Sequence, residues 1–257
     1  MTLTICSWNI NGLRASLKTG DVQRWLATMS PDIVGMQEVK ATPDQVVDAW
    51  TGLGYECHWH TAQRAGYSGA LLLSKPAPVS VRLGLGVEEF DAEGRVIEAE
   101  YPGFTLLTSY FPNAGQGEHR MAYKHAFYSA FLARVDELKA AGRSVVFMGD
   151  FNVAHTEIDL ARPEEALKGT GFLPEERAWI DRIIGHGYID TFRALNPDAR
   201  DAYSYWDAWR GRRARNVGWR IDYVFVSADL LPQVRRAFIQ PEVMGSDHCP
   251  VGIELDI

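Results

Sequence analysis

Asp150 and Asn152 stand two residues apart where an apolar run, Val145-Val146-Phe147-Met148, gives out. A strand turns residues i and i+2 to one face, so the carboxylate and the carboxamide can converge on one small object. Gly149, with no side chain, permits close backbone approach at that spot. Taken alone the stretch also reads as a turn, since Asp, Asn and Gly all favour turns. Other run ends carry similar groups. Asn9 and Asn11 follow the first apolar run, Glu38 the second, and Tyr110 and Asn113 a middle one. Asp222 opens Ile221-Asp222-Tyr223-Val224, and Asp247-His248 precede the last run. A carboxylate just inside a strand, as at Asp222, needs a partner if buried. Together these residues supply hard oxygen ligands, amides, a free carboxylate and a histidine with an acid to orient it. Carboxylates with few His or Cys suit Mg²⁺ or Mn²⁺ and not zinc. The inventory fits phosphoryl chemistry, in which a metal neutralises a phosphate and a base activates water.

The elements that must position these groups alternate along the chain. Leu3 to Ile10 reads as a strand, and Asp21 as the cap of a helix with Val22, Trp25, Leu26 and Met29 on one face. Asp32 to Val39 is a second strand. Thr42-Pro43 predicts a helix through Val46, Val47 and Trp50 to Gly54. Strand-like runs follow at 56–61, 69–75, 96–101 and 104–111. The best helix covers 119–140, with Met121, Tyr128, Phe131, Val135 and Leu138 at helical spacing. Residues 155–175 read as a long loop, which in a compact domain usually means function. A helix at 175–185 and strands at 221–227, 234–240 and 250–257 complete the chain. About ten strands with helices interspersed imply an α+β fold: two sheets face to face, helices outside, one domain over 1–257.

Bulk properties narrow the class. A chain of 257 residues with 46% hydrophobic and 23% charged content is ordinary for a globular protein. Cys6, Cys57 and Cys249 are odd in number and widely spaced, which argues against a disulfide framework or a zinc site. No signal-peptide pattern and no 18-residue apolar span occurs, so the expected compartment is the cytoplasm. The net charge of −7 argues globally against a nucleic-acid partner, but residues 209–220 hold Arg210, Arg212, Arg213, Arg215 and Arg220 with no acid. Such a Trp-flanked segment can bind phosphate backbone locally, or be a solvated loop. No exposed heptad or apolar stripe suggests self-association, so a monomer is expected.

Six stretches, in order, resemble signature motifs of the exonuclease III family of abasic-site DNA endonucleases. They are Ser7-Trp8-Asn9-Ile10-Asn11-Gly12-Leu13-Arg14, Gln37-Glu38-Val39-Lys40, Tyr110-Phe111-Pro112-Asn113, Gly149-Asp150-Phe151-Asn152-Val153-Ala154-His155, Arg220-Ile221-Asp222-Tyr223 and Ser246-Asp247-His248. The resemblance spans the whole chain and implies a four-layer α/β sandwich of two mainly antiparallel sheets flanked by helices. It implies hydrolysis of the phosphodiester 5′ to an abasic site in double-stranded DNA, leaving a 3′-hydroxyl, with related removal of 3′-blocking groups or 3′-terminal nucleotides.

By that similarity Glu38 is the main ligand of Mg²⁺, or of Mn²⁺ as its substitute, with Asn11 and Asp247 nearby. Asp150 accepts the proton of the attacking water, which Asn152 helps to hold. His248, kept charged by Asp222, stabilises charge on the phosphate, where Tyr110 and Asn9 organise hydrogen bonds. Asn113, Arg14, Lys40 and Tyr67 match DNA-contacting positions, and Trp209 a position that wedges into the duplex. Tyr205, Trp219 and Ile221 match an apolar pocket for a flipped-out abasic sugar. Two other readings remain open at this stage: a phosphatase or phosphodiesterase using the same catalytic set on a non-DNA substrate, and a catalytically silent DNA-end-binding protein.

Overall fold

The computed structural model describes residues 1–257 except Gln116, Lys168, Trp209 and Arg210. Its strands are β1 (Thr2–Asn9), β2 (Ile33–Gln37), β3 (Glu56–His60), β4 (Ala70–Ser74), β5 (Ser80–Leu83), β6 (Val96–Tyr101), β7 (Phe104–Tyr110), β8 (Val145–Asp150), β9 (Tyr188–Asp190), β10 (Asp222–Ser227), β11 (Val234–Ile239) and β12 (Val251–Asp256). The helices are α1 (Leu13–Thr19), α2 (Asp21–Met29), α3 (Glu88–Asp91), α4 (Glu118–Ala140), α5 (Pro163–Ala166), α6 (Pro174–Gly185) and α7 (Thr191–Leu195). The strands form two six-stranded sheets, ordered β11-β12-β1-β2-β4-β3 and β5-β6-β7-β8-β10-β9.

Alternation along the strands decides what each sheet face meets. In β8, Val146 and Met148 enter the core between the sheets, while Val145 and Phe147 face Phe127, Phe131 and Val135 of α4. In β4, Leu72 faces the other sheet and Leu71 and Leu73 pack with Trp25 and Leu26 of α2. Central strands buried on both faces read as continuous apolar runs, which is why these were visible in the sequence. The layers are therefore helices, sheet, sheet, helices, as expected. Gly35 lets the two sheets approach closely. A Cβ there would lie 2.2 Å from Thr108 Oγ1 and 2.8 Å from Met148 Cε.

Each sheet has one parallel pair near its centre, β1 with β2 and β7 with β8. A parallel pair needs a crossover, here α1–α2 and α4, and it delivers two carboxyl ends to the same edge. Asn9 and Gln37 are thereby register partners, as are Tyr110 and Asp150. An antiparallel neighbour presents its beginning at that same edge, so Asp222 lies opposite Asp150. Gly149 makes the junction possible: its φ is 149°, and a Cβ would sit 1.8 Å from the carbonyl oxygen of Ser109.

Several local expectations change. The helix expected from Thr42 to Gly54 is one 3-10 turn, Pro43–Gln45, followed by turns. Thr42 and Gln45 do form a capping box, but Val46 leaves helical geometry at φ −144°. Val46 and Trp50 are buried, as an i, i+4 pair would be, and Val47 is 71% exposed. Asp21 is not a cap. It lies inside α2, whose cap is Gly20 at φ 72°. The short elements α1, α3, β5, β9 and α7 were not foreseen, and the expected loop 155–175 contains a 3-10 turn, Glu157–Asp159, and α5. The described residues hold twelve strands, not about ten.

The arginine-rich segment is partly internal. Arg220 is fully buried, paired with Asp159 Oδ1 at 2.7 Å and with Asp190 Oδ2 at 2.8 Å, its guanidinium over the Tyr223 ring. Arg193 Nη2 also reaches Asp159 Oδ1, at 2.7 Å. Burial alone would raise the pKa of Asp159, but the charges and hydrogen bonds of Arg220 and Arg193 outweigh it and bring it to about 2. A folded pKa below the unfolded value, about 3.9, stabilises above pH 4, and that stability is lost as pH falls toward 2. The wild type should lose about 2 kcal/mol more stability between pH 5 and pH 2 than Asp159→Asn does. Urea unfolding at a series of pH values measures the difference, and parallel curves for the two proteins would refute it.

Candidate active site

The cleft opens along the shared edge, with a volume of about 460 Å³. Its lining includes Asn11, Glu38, Tyr110, Asn113, Asp150, Asn152, Tyr205, Trp219, Ile221, Asp247 and His248. Asn9 is fully buried beneath them and joins the two sheets: its Nδ2 donates to Glu38 Oε1 at 2.9 Å and to Asp150 Oδ2 at 2.8 Å. Its Oδ1 accepts from the backbone N–H of Asn11 at 3.0 Å, and Asn11 Nδ2 donates to both oxygens of Asp247. Asn11, Glu38 and Asn152 all have positive φ, at 43°, 50° and 53°. Backbone strain of this kind persists where surrounding structure over-determines it, commonly at functional sites.

Asp150 and Asn152 do converge, though by a different route from strand alternation. β8 ends at Asp150, and the N–H of Asn152 donates back to Asp150 Oδ1 at 2.8 Å. Asn152 Nδ2 bonds the carbonyl of Phe111 at 2.9 Å, and Asn113 Nδ2 donates to Asn152 Oδ1 at 3.2 Å.

His248 bridges two carboxylates. Its Nδ1 bonds Asp222 Oδ2 at 2.8 Å, and its Nε2 lies 3.9 Å from Asp150 Oδ2. Ser204 Oγ, for which the sequence carried no signal, donates to Asp222 Oδ2 at 2.6 Å. Burial disfavours the imidazolium, but Asp222 and then Asp150 overcome it and raise the His248 pKa to about 10. Burial also dominates at Asp150. It raises the carboxyl to about 7, against the opposing pull of His248. Enclosure thus moves the group toward neutrality, where a general base works best. Tyr110 stays a neutral donor, since burial and the charges of Glu38 and Asp150 push its pKa well above 10. Arg95, fully buried, lies 4.6 Å from the Tyr110 ring centre and donates to its carbonyl at 2.8 Å.

Asp150, Asp222 and His248 offer ligand atoms within 4.8 Å of one another. A protonated imidazole has no lone pair to give, so this trio suits proton handling better than cation binding. A cation fits better at Glu38. Burial raises its pKa, but hydrogen bonds from Lys40 and Asn9 more than offset this and leave it lowered. The Lys40 ammonium already lies 2.8 Å from Glu38 Oε2 and bonds Asn11 Oδ1, a positive charge among hard oxygen donors.

Residues 6–248 match the Endonuclease/Exonuclease/phosphatase family. The chain belongs to that family. It is 41% identical over 255 residues to an exodeoxyribonuclease of Bacillus subtilis, covering 99% of this chain and 100% of the relative. It is 40% identical over 261 residues to the DNA repair nuclease APEX1 of Danio rerio, covering 99% and 83%. Among solved structures, a 3′-5′ exonuclease (NExo) from Neisseria meningitidis superposes with TM-score 0.91 at 28% identity, over all of both chains. An AP endonuclease from Archaeoglobus fulgidus gives 0.89 at 25% identity, over 99% and 100%. Family membership and these neighbours establish the four-layer sandwich.

The remaining residues singled out in the sequence divide. Tyr205, Trp219 and Ile221 line the cleft while packing on Ala154, Leu160, Ala166 and Phe172, so they are wall and satellite core at once. Tyr67 lies in an adjoining hollow of about 820 Å³ with Arg64, Arg95 and Arg120, which shares Tyr110 and Asn113 with the cleft. Arg14 is exposed on α1, away from the cleft lining. Arg213 is committed to the carbonyls of Ser246, Pro241 and Val243, whereas Arg212 lines the cleft. Trp209 and Arg210 lie outside the described residues. The sequence reading missed Ser204, Arg95, Thr170 and Gly171, whose relevance comes only from distant partners.

Proposed function

We propose that this protein is a Mg²⁺-dependent DNA repair nuclease that hydrolyses the phosphodiester 5′ to an abasic site. The same site then also clears 3′-phosphates and 3′-terminal nucleotides. The observation that carries the reading is the His248 imidazolium set between Asp222 and Asp150, beside an aromatic and aliphatic slot of Tyr205, Trp219 and Ile221. An apolar slot favours a sugar that has lost its base, and extrusion is easier where pairing is already gone. The exodeoxyribonuclease and repair-nuclease relatives support the DNA substrate.

In this mechanism Asp150 accepts a proton from the attacking water, whose oxygen forms the new bond to phosphorus. The bond to the 3′ oxygen breaks, and that oxygen takes a proton to become the 3′-hydroxyl. Asn152 and Asn113 fix the water and the strand. His248 Nε2–H and the Tyr110 hydroxyl donate to phosphate oxygens as their charge grows. Mg²⁺ or Mn²⁺, held by Glu38 with Asn11 and Asp247 beside it, would supply charge neutralisation at the phosphate. Arg14, Lys40, Tyr67 and Trp209 are assigned to the duplex.

The match over residues 6–248 supports one catalytic domain, taken to act as a monomer in the cytoplasm. Among the described residues no helix is long and apolar enough to cross a membrane. The test is a panel of end-labelled duplexes bearing an abasic site, a 3′-phosphate, a recessed 3′ end or a uracil. The abasic duplex should be cut in Mg²⁺ and left whole in EDTA. No cutting of it in either Mg²⁺ or Mn²⁺ would overturn the proposal.

A further inference from the structure

Lys124 and Glu176 form an ion pair of 2.6 Å in which neither side chain reaches solvent. Burying two charges is costly, and apolar replacements are often as stable, so such a pair calls for another reason. Its remaining bonds supply one. Lys124 Nζ also donates to the backbone carbonyl of Asn152 at 2.9 Å. Glu176 accepts from Thr170 Oγ1 at 2.9 Å, from the N–H of Gly171 and from the N–H of Leu173 at 3.2 Å. Thr170 and Gly171 line the cleft beside Asn152 and Trp219. Gly171 is packed hard against the slot. A Cβ on it would fall 3.1 Å from the Trp219 ring, and its carbonyl accepts from Ala154 at 2.9 Å. One ion pair thus ties the backbone at Asn152 to the wall that backs Trp219. Apolar side chains could fill the same volume but could not satisfy that carbonyl and those N–H groups.

We propose that Lys124 and Glu176 are positioning residues that hold the Thr170–Gly171 wall against Trp219 and so set the slot width that separates abasic from base-bearing nucleotides. The inference rests on the nuclease reading above. With the wall loosened, Trp219 gains room to shift, and a nucleotide that keeps its base is admitted more readily.

The test compares wild type, Lys124→Arg, Thr170→Val and the double variant Lys124→Met/Glu176→Met, which leaves no lone buried charge. For each, kcat and KM are measured for cutting an abasic duplex and for releasing the 3′-terminal nucleotide of a recessed duplex. The ratio of the two kcat/KM values should fall about tenfold in the double variant, the scale of a changed pocket contact. Thr170→Val should move it about threefold in the same direction, the loss of one hydrogen bond. Lys124→Arg, whose guanidinium can serve both acceptors, should keep it within about twofold of wild type. An unchanged ratio in a folded double variant, or an equal loss on both substrates, overturns the inference while leaving the nuclease reading intact. If the double variant does not fold, an unchanged ratio in Thr170→Val overturns it instead. A wild type that cuts neither duplex removes the nuclease reading and this inference with it.

Discussion

Asp150→Asn should lower kcat/KM on an abasic duplex by about 10²- to 10⁴-fold, the range over which a positioned general base contributes. The substitution keeps shape and volume, but its single amide oxygen can keep only one of the two bonds the carboxylate accepts, from Asn9 at Oδ2 and from the N–H of Asn152 at Oδ1. It cannot take a proton from water. Stability should change far less than rate. The carboxyl is raised to about 7 mainly by burial, well above its unfolded value. An acid whose folded pKa is raised loses stability as pH climbs from about 4 through about 7, because ionising it inside costs more than outside. At pH 8 relief of that ionisation cost offsets the lost hydrogen bond, so the variant should melt within a few degrees of wild type while being nearly inactive. Single-turnover cleavage and thermal melting on one preparation give both numbers. Activity within tenfold of wild type would remove Asp150 from the role of base, and a collapse in melting temperature would make the lost rate uninformative about chemistry.

What the sequence disclosed of this site follows from sheet geometry. Asn9, Glu38, Tyr110 and Asp150 each sit where an apolar run closes and Asp222 where one opens; the parallel pairs β1–β2 and β7–β8 and the antiparallel neighbour β10 bring these positions to one edge. A polar residue at the close of a doubly buried strand stands out against its neighbours. Lys124 does not. In the middle of a long helix a lysine reads as solvent-facing, and its partner lies 52 residues away on α6. Ser204 and Arg95 fail for the same reason, since their importance is conferred by Asp222 and Tyr110 from other parts of the chain. The error at residues 42–54 is of another kind. Val46 and Trp50 have helical spacing, yet successive i, i+3 turns bury the same pair, and periodicity alone does not separate the two. The arginine segment shows how composition misleads: Arg220 lies wholly inside, and Arg213 is spent on three carbonyls.

His248→Ala should cost about 10²- to 10³-fold in kcat, the scale of losing one preorganised donor to a developing anion, with KM changing far less. The argument rests on charge. Asp222 and Asp150 together keep the imidazole protonated against the penalty of burial, so in the proposed mechanism it would meet the phosphate as a cation. Asp222→Asn separates that charge from the hydrogen bond. The amide can still orient Nδ1 and still accept from Ser204, but it no longer offsets the burial of the imidazolium. Its loss in kcat should fall between wild type and His248→Ala. Removing both residues should cost little more than removing His248 alone, because Asp222 acts through it. Additive losses in the double variant would mean that Asp222 has its own contact with the reacting phosphate. Its position, enclosed behind the imidazole with Ser204 and His248 bonded to the same Oδ2, argues against that contact.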